Sequence, residues 1–328
     1  MLLSPREKIL VAGATGMAGS AICRSLINKG YGDPKKNGRI LTPSRKELDL
    51  LDLDQVKNWF HNNKPSIVIL AAAKVGGIYA NSEQPVDFLL KNLKIQNNVI
   101  ETSWSYGIKR LLFLGSSCIY PKFARQPIKE EYLLESGLEE TNEAYAIAKI
   151  AGLKLCEALR KQYGFDAISL MPTNLYGPND NYHPNNSHVM AALIRKFSEA
   201  VKNSSKQVIC WGTGSPRREF LHVNDLGEAA VFCLENWDPS TNPKTLDINQ
   251  KPINHLNVGT GEDISIKELA YLVADLTNFK GEIIWDTKKP DGTPKKQLDI
   301  SKIKNLGWAP KISLTKGIKS TIENYKKM

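Results

Sequence analysis

The chain has 328 residues, 41% hydrophobic and 24% charged, with a formal net charge of +10 at neutral pH. This is the balance of a soluble globular protein, long enough for one large domain or two modest ones, and it excludes a disordered or fibrous chain. Five scattered cysteines (Cys23, Cys118, Cys156, Cys210 and Cys233) without a CxxC pair argue against a disulfide framework or a metal site, and for a reducing compartment. Arg6, Glu7 and Lys8 stand where a signal peptide needs its apolar stretch, and no run approaches the ~18 apolar residues of a membrane span. A cytoplasmic protein is expected. The lysines fall in short clusters such as Lys35-Lys36 and Lys295-Lys296 with no nucleic-acid recognition motif, so solvated loops account for them. A polyanionic nucleotide would also find this surface favourable.

The apolar run from Glu7 to Ala12 leads into Gly13, Ala14, Thr15, Gly16, Met17, Ala18 and Gly19, and then into a helical pattern. Strand, glycines three apart and helix together make a dinucleotide-binding arrangement: the glycines permit close backbone approach, and the helix N-terminus faces a pyrophosphate. A second strand is expected over Arg39 to Arg45. It ends in Ser44 and Arg45 rather than the acidic residue of an NAD site, which suits a 2′-phosphate and favours NADP. One carboxylate of the pair Asp49 and Asp52 is placed to meet the adenine amino group. Ser66 to Ala73 reads as a strand buried on both faces, and residues 81–106 as one long helix. Another buried strand, Arg110 to Gly115, ends in Leu114 and Gly115 and delivers Ser116 and Ser117 at its C-terminal edge. Ligands of open α/β sheets bind at that edge, so both serines are placed to hydrogen-bond a substrate carbonyl.

Tyr145 and Lys149, four apart on the helix that follows, project from one face. An ammonium beside a phenol favours the phenolate, so the pair is expected to lower the phenol's pKa and to exchange protons with a carbonyl or alcohol oxygen. Gly152 permits close packing of this helix and Gly164 ends it. A strand over Ala167 to Met171 then runs into a turn-rich loop, Pro172 to Pro178. Alternating strands and helices to about residue 175 predict a doubly wound parallel, Rossmann-type sheet over residues 1–178. Residues 179–328 are expected to form a smaller α/β substrate domain, with a strand or helix returning to the first.

These motifs, in this order, resemble the extended short-chain dehydrogenase/reductases. Ala72-Ala-Lys-Val-Gly-Gly77, Gly115-Ser-Ser-Cys-Ile-Tyr-Pro121, Met171-Pro-Thr-Asn-Leu-Tyr-Gly-Pro178, Asn186-Ser-His188, Arg218-Glu-Phe-Leu-His222 and Lys289-Pro-Asp-Gly-Thr-Pro294 are similar to the branch acting on GDP-4-keto-6-deoxy-D-mannose. That resemblance implies 3,5-epimerisation followed by NADPH-dependent 4-reduction. It implies Cys118 and His188 as the base and acid of epimerisation, Tyr145 as the acid of reduction tuned by Lys149, and Ser116 and Ser117 as ketone ligands. It places the cofactor along the glycine turn, Arg45, Asp52, Leu114, Gly115, Pro172, Thr173, Asn174, Leu175 and His188. Lys196, Trp211, Arg218, Asp291 and Lys296 would hold the GDP-sugar, and a homodimer would form through the helices over 81–106 and 141–163. Two positions depart from the branch: Thr15 stands where some members carry an arginine for the 2′-phosphate, and Lys196 where many carry an arginine. An NAD-dependent nucleotide-sugar epimerase or dehydratase is the alternative enzyme, though a dehydratase would want an acidic residue near Cys118. A non-catalytic NADP-binding sensor would have little need of Tyr145, Lys149, Cys118 and His188 together.

Overall fold

A computed structural model describes residues 2–328 apart from Asn185, Ile248 and Pro290, so the Pro290 of the predicted loop after Lys289 lies outside the described residues. β1 (Lys8–Ala12), buried in four of its five residues, feeds α1 (Met17–Asn28). β2 (Arg39–Leu41), α2 (Leu53–Asn63) and β3 (Ile67–Leu70) follow, then α3 (Ile78–Glu83), α4 (Pro85–Ser105) and β4 (Arg110–Leu114). α5 (Glu143–Tyr163) precedes β5 (Ala167–Pro172) and β6 (Asn174–Tyr176). The later half holds α6 (Val189–Lys202), β7 (Gln207–Trp211), β8 (Arg217–His222), α7 (Val223–Asn236), β9 (His255–Val258) and β10 (Asp263–Ser265). It continues through α8 (Ile266–Thr277), β11 (Glu282–Asp286), β12 (Lys295–Lys296), α9 (Ser301–Leu306) and α10 (Leu314–Tyr325).

The main sheet is parallel throughout, in the order β2-β1-β3-β4-β5-β9. Every residue of β3, β4 and β5 is buried, as expected of strands covered by helices on both faces. The order reverses at β1, so the crevice beyond the C-terminal ends of β1 and β3 is the topological switch point. A second group of strands has β8 at its centre, parallel to β6 and β12 and antiparallel to β10, while β7 and β11 pair separately. Two apolar cores match this division. Residues of α7, β9 and α9 (Leu226, Leu256, Ile303) join the first core, and Phe197, Phe220, Val273 and Ile318 belong to the second. The buried Arg110 of β4 ties α7 to the sheet by donating to the carbonyls of Leu234 (3.2 Å) and Trp237 at the helix end.

Three elements differ from expectation. Residues 81–106 form two helices, because Pro85 has no N–H and disfavours helical backbone in the residue before it; Gln84 sits at φ −130°, ψ 47°. β2 stops at Leu41, short of Pro43, which cannot donate to the ladder. The segment after β5 is not all loop: Asn174–Tyr176 leaves the main sheet and pairs with Phe220–His222. α5 matches its expected close, ending at Gly164 with φ 68°. A Cβ on Gly152 would meet Gln96 Oε1 and Phe113 Cζ at 2.7 Å, so a larger residue there would push α5 away from α4 and β4.

Candidate active site

At the switch point Gly13 has φ +87°, and a Cβ on it would lie 2.7 Å from the backbone nitrogen of Ala72 beyond β3. A Cβ on Gly19 would lie 2.1 Å from the Gly13 carbonyl oxygen. The turn through Ala14, Thr15, Gly16 and Met17 therefore lies flat against the sheet edge. α1 has neither a side-chain cap nor an acidic residue in its first turn, so its leading N–H groups remain available to an anion. These features fit a dinucleotide pyrophosphate. Arg45 is exposed beyond β2, 3.6 Å from Asp49. Asp52 caps α2: Oδ1 accepts from the backbone of Asp54 and Gln55, and Oδ2 from the Gln55 side chain. A carboxylate has about four acceptor positions, so one is left for an adenine amino group.

β4 ends at Leu114, and Gly115 packs so closely on Met171 that a Cβ would meet its Sδ at 2.3 Å. Ser116 is extended, and its hydroxyl accepts the N–H of Cys118 (3.2 Å), turning the chain through Ser117 to Ile119. Cys118 thereby packs on a buried cluster of Ala80, Phe88 and Tyr145. Tyr145 meets Phe88 edge to face at 6.3 Å. Lys149, 4% exposed, donates to the Leu114 carbonyl (2.8 Å), and its Nζ lies 5.9 Å from the Tyr145 ring centre.

Electrostatics here run against the expected pairing. Burial pushes the Tyr145 phenol well above its ordinary value, Cys118 adds to the rise, and the hydrogen bond with Ser116 offsets only part of it. Burial also pulls Lys149 down to about 7, so at neutral pH its ammonium is only partly populated. Desolvation outweighs the charge pairing that four-residue spacing suggests. The phenol is held protonated.

His188 is the N-cap residue of α6, and its side chain makes no capping hydrogen bond. Its approach is set by Gly77, where a Cβ would lie 2.7 Å from the Ser187 carbonyl; α3, which starts there, carries Ala80 into the Tyr145 cluster. The imidazole is accessible yet walled by protein, and this desolvation lowers its pKa. Asp180, on the same loop, is 8% exposed and its Oδ2 has no hydrogen-bond partner among the described residues. Burial raises it from the usual carboxylate range to about 7. A carboxyl with a raised folded-state pKa favours folding most below its unfolded pKa, and that contribution is lost as pH rises from about 4 through about 7. Asp180→Asn should therefore raise Tm over wild type by several degrees at pH 8, from about 1–3 kcal/mol, with no gap at pH 3. Equal gaps at both values in thermal melts would contradict this.

Pro172, Thr173, Asn174 and Leu175 span the passage from β5 to β6. The Thr173 hydroxyl (3.2 Å) and the Asn174 amide (2.8 Å) both donate to the Glu219 carbonyl. The Glu219 side chain, fully buried, accepts the N–H groups of Thr260, Gly261 and Leu298 at 2.5–2.7 Å. Sequence reading missed this role; Glu219 stands directly before the apolar pair Phe220 and Leu221. Farther out, Lys196 donates to the Ile209 carbonyl (2.7 Å) and lies 5.5 Å from the half-exposed Trp211 ring. Lys289, also missed, lies 5.2 Å from the same ring. Asp291 accepts both the N–H and the hydroxyl of Thr213 at 2.8 Å, pinning its loop beside Trp211. Arg218 lies between the groups: a Cβ on Gly292 would meet its guanidinium at 3.4 Å, and burial lowers its pKa, offset in part by its neighbours Cys118, Glu139 and Asp291. Lys296 falls in the inner group instead, with its Nζ 3.7 Å from Cys118 Sγ. Among the described residues no His, Cys, Asp or Glu cluster could hold a metal ion, and no helix is long and apolar enough to cross a membrane.

Comparison with known proteins follows the same lines. The model of the NAD dependent epimerase/dehydratase family matches residues 9–249. GDP-L-fucose synthase 1 of Arabidopsis thaliana is 52% identical over 320 residues, covering 98% of this chain and 93% of that protein. GDP-L-fucose synthase of Escherichia coli (strain K12) is 47% identical, covering 97% and 96%. The solved GDP-mannoheptose C4 reductase from Campylobacter jejuni with NADP bound superposes with a TM-score of 0.86 at 38% identity, covering 99% of each chain.

Proposed function

Because the chain belongs to the NAD dependent epimerase/dehydratase family, within the extended short-chain dehydrogenase/reductases, we propose that it converts GDP-4-keto-6-deoxy-D-mannose to GDP-L-fucose. The observation that carries this reading is the packing of Cys118, just beyond β4, on the buried cluster that contains Tyr145. A proton-shuttling thiol and a reduction acid thus share one pocket. The C4 ketone acidifies the protons on C3 and C5, so Cys118 and His188 act as base and acid, inverting each centre through an enolate. Ser116 and Ser117 polarise the ketone oxygen. NADPH supplies the hydride for C4. Tyr145, protonated at working pH, gives its proton to the ketone oxygen, and Ser116 with the partly charged Lys149 stabilises the phenolate left behind.

The glycine turn and the start of α1 hold the pyrophosphate, Arg45 the 2′-phosphate, Asp52 the adenine, and Leu114, Gly115, Lys149 and Pro172 to Leu175 the nicotinamide half. Lys196, Trp211, Arg218 and Asp291 hold the GDP portion. Residues 1–178, with the returning α7, β9 and α9, make up the cofactor half, and the remainder the substrate half. Exposed Val86 and Leu90 on α4 and Ile147 on α5 support a homodimer through these helices. The free cysteines support a cytoplasmic setting. Incubation with GDP-4-keto-6-deoxy-D-mannose and NADPH should yield GDP-L-fucose, with one NADPH oxidised per product. Absence of NADPH oxidation by folded protein would contradict the reading.

A further inference from the structure

We propose that Lys296 is a positioning residue for epimerisation, holding Cys118 as the thiolate that takes the sugar proton. The inference deepens the proposed function and rests on Cys118 as a base there. β12 runs parallel to β8 with Lys295 beside Arg217 and Lys296 beside Arg218. Successive strand residues point to opposite faces. Accordingly Lys295 turns outward to Asp263 (3.1 Å), while Lys296 turns inward and reaches Cys118 Sγ at 3.7 Å. Its aim is fixed by neighbouring bonds: the Gln126 side chain receives the N–H of Gln297 (2.9 Å) and donates to the Lys295 carbonyl (3.1 Å). Among the described residues no carboxylate lies within ion-pair distance of Lys296, and its ammonium donates to the Cys118 sulfur. The other groups around Cys118 act with it or are neutral. Arg218 adds a second positive charge from β8, Tyr145 faces it as a neutral phenol from α5, Ser116 donates no charge, and Ala80 and Phe88 are apolar. Positive charge beside a partly exposed thiol favours the thiolate, and here it works against the apolar contacts with Ala80 and Phe88.

In each inversion the Cys118 thiolate forms an S–H bond as the sugar C–H bond breaks, and that electron pair moves through the enolate to the C4 oxygen. A proton from the opposite face closes the carbon with inverted configuration as the electron pair returns from the oxygen, and the thiol gives up its proton to solvent before the second inversion and again before the next substrate. Lys296 takes no part in the proton transfer and sets its positive charge against the sulfur. A lysine that only gripped the diphosphate would act on sugar affinity and leave sulfur reactivity unchanged.

Carboxamidomethylation of Cys118 by iodoacetamide, followed at that peptide by mass spectrometry, separates these cases without substrate. In Lys296→Met the rate at pH 7.5 should fall about tenfold, with little change at pH 9.5, and Lys296→Arg should restore most of it. With the GDP-sugar and NADPH, deuterium uptake at C3 and C5 should fall in kcat for the Met variant, with most of the loss recovered at pH 9. Equal alkylation rates in wild type and Lys296→Met at pH 7.5 would overturn the proposal, as would a loss of equal size at both pH values. A raised KM for the sugar with unchanged exchange kcat would also overturn it. If the alkylation difference is found but wild type exchanges no sugar proton, the pairing stands and the epimerase reading fails.

Discussion

Tyr145→Phe is expected to lower reduction at C4 by about 10²–10⁴-fold, the range for losing a positioned general acid, while leaving solvent deuterium exchange at C3 and C5. The phenol is 9% exposed, and burial holds it protonated, the state needed to donate to a ketone oxygen. Phenylalanine keeps the edge-to-face packing on Phe88, so the variant should fold and bind cofactor normally. NADPH oxidation measured beside proton exchange by NMR checks this. Exchange lost as completely as reduction would mean that Tyr145 also serves epimerisation.

Cys118→Ser is the complementary case. A hydroxyl preserves the shape of the turn after Ser116, but it is a far weaker acid than a thiol and cannot supply the anionic base near neutrality. Deuterium uptake at C3 and C5 should fall by about 10²–10⁴-fold, with NADPH binding unchanged. Reduction should then be limited by the supply of inverted ketone, and any product formed should be the reduced sugar without full inversion. Equal loss of exchange and reduction in both variants would refute the division of roles between sulfur and phenol.

Much of the fold was legible because it is written in local patterns. The glycine turn, the buried strands β3, β4 and β5, and the close of α5 at Gly164 each depend on neighbouring residues alone. The break at Pro85 was also local, but the strong apolar periodicity on both sides of it masked the proline. What escaped was non-local. β6 becomes a strand only because β8 is beside it, and Lys289 gains its meaning from a ring 78 residues away in sequence. Lys296 and Cys118 are 178 residues apart, and only the alternation of β12 against β8 turns the lysine inward. The sign of the Tyr145 shift was illegible for a different reason: four-residue spacing shows which groups are neighbours, whereas the pKa follows from how much water each has lost.

The central claim is that inversion and reduction occur in sequence in one pocket. The most direct measurement is the position of label in the product formed from GDP-4-keto-6-deoxy-D-mannose and unlabelled NADPH in deuterium oxide. The account predicts GDP-L-fucose with solvent deuterium at both C3 and C5 and cofactor-derived protium at C4. A reduced product without deuterium at C3 and C5, or with it at only one of them, would contradict it.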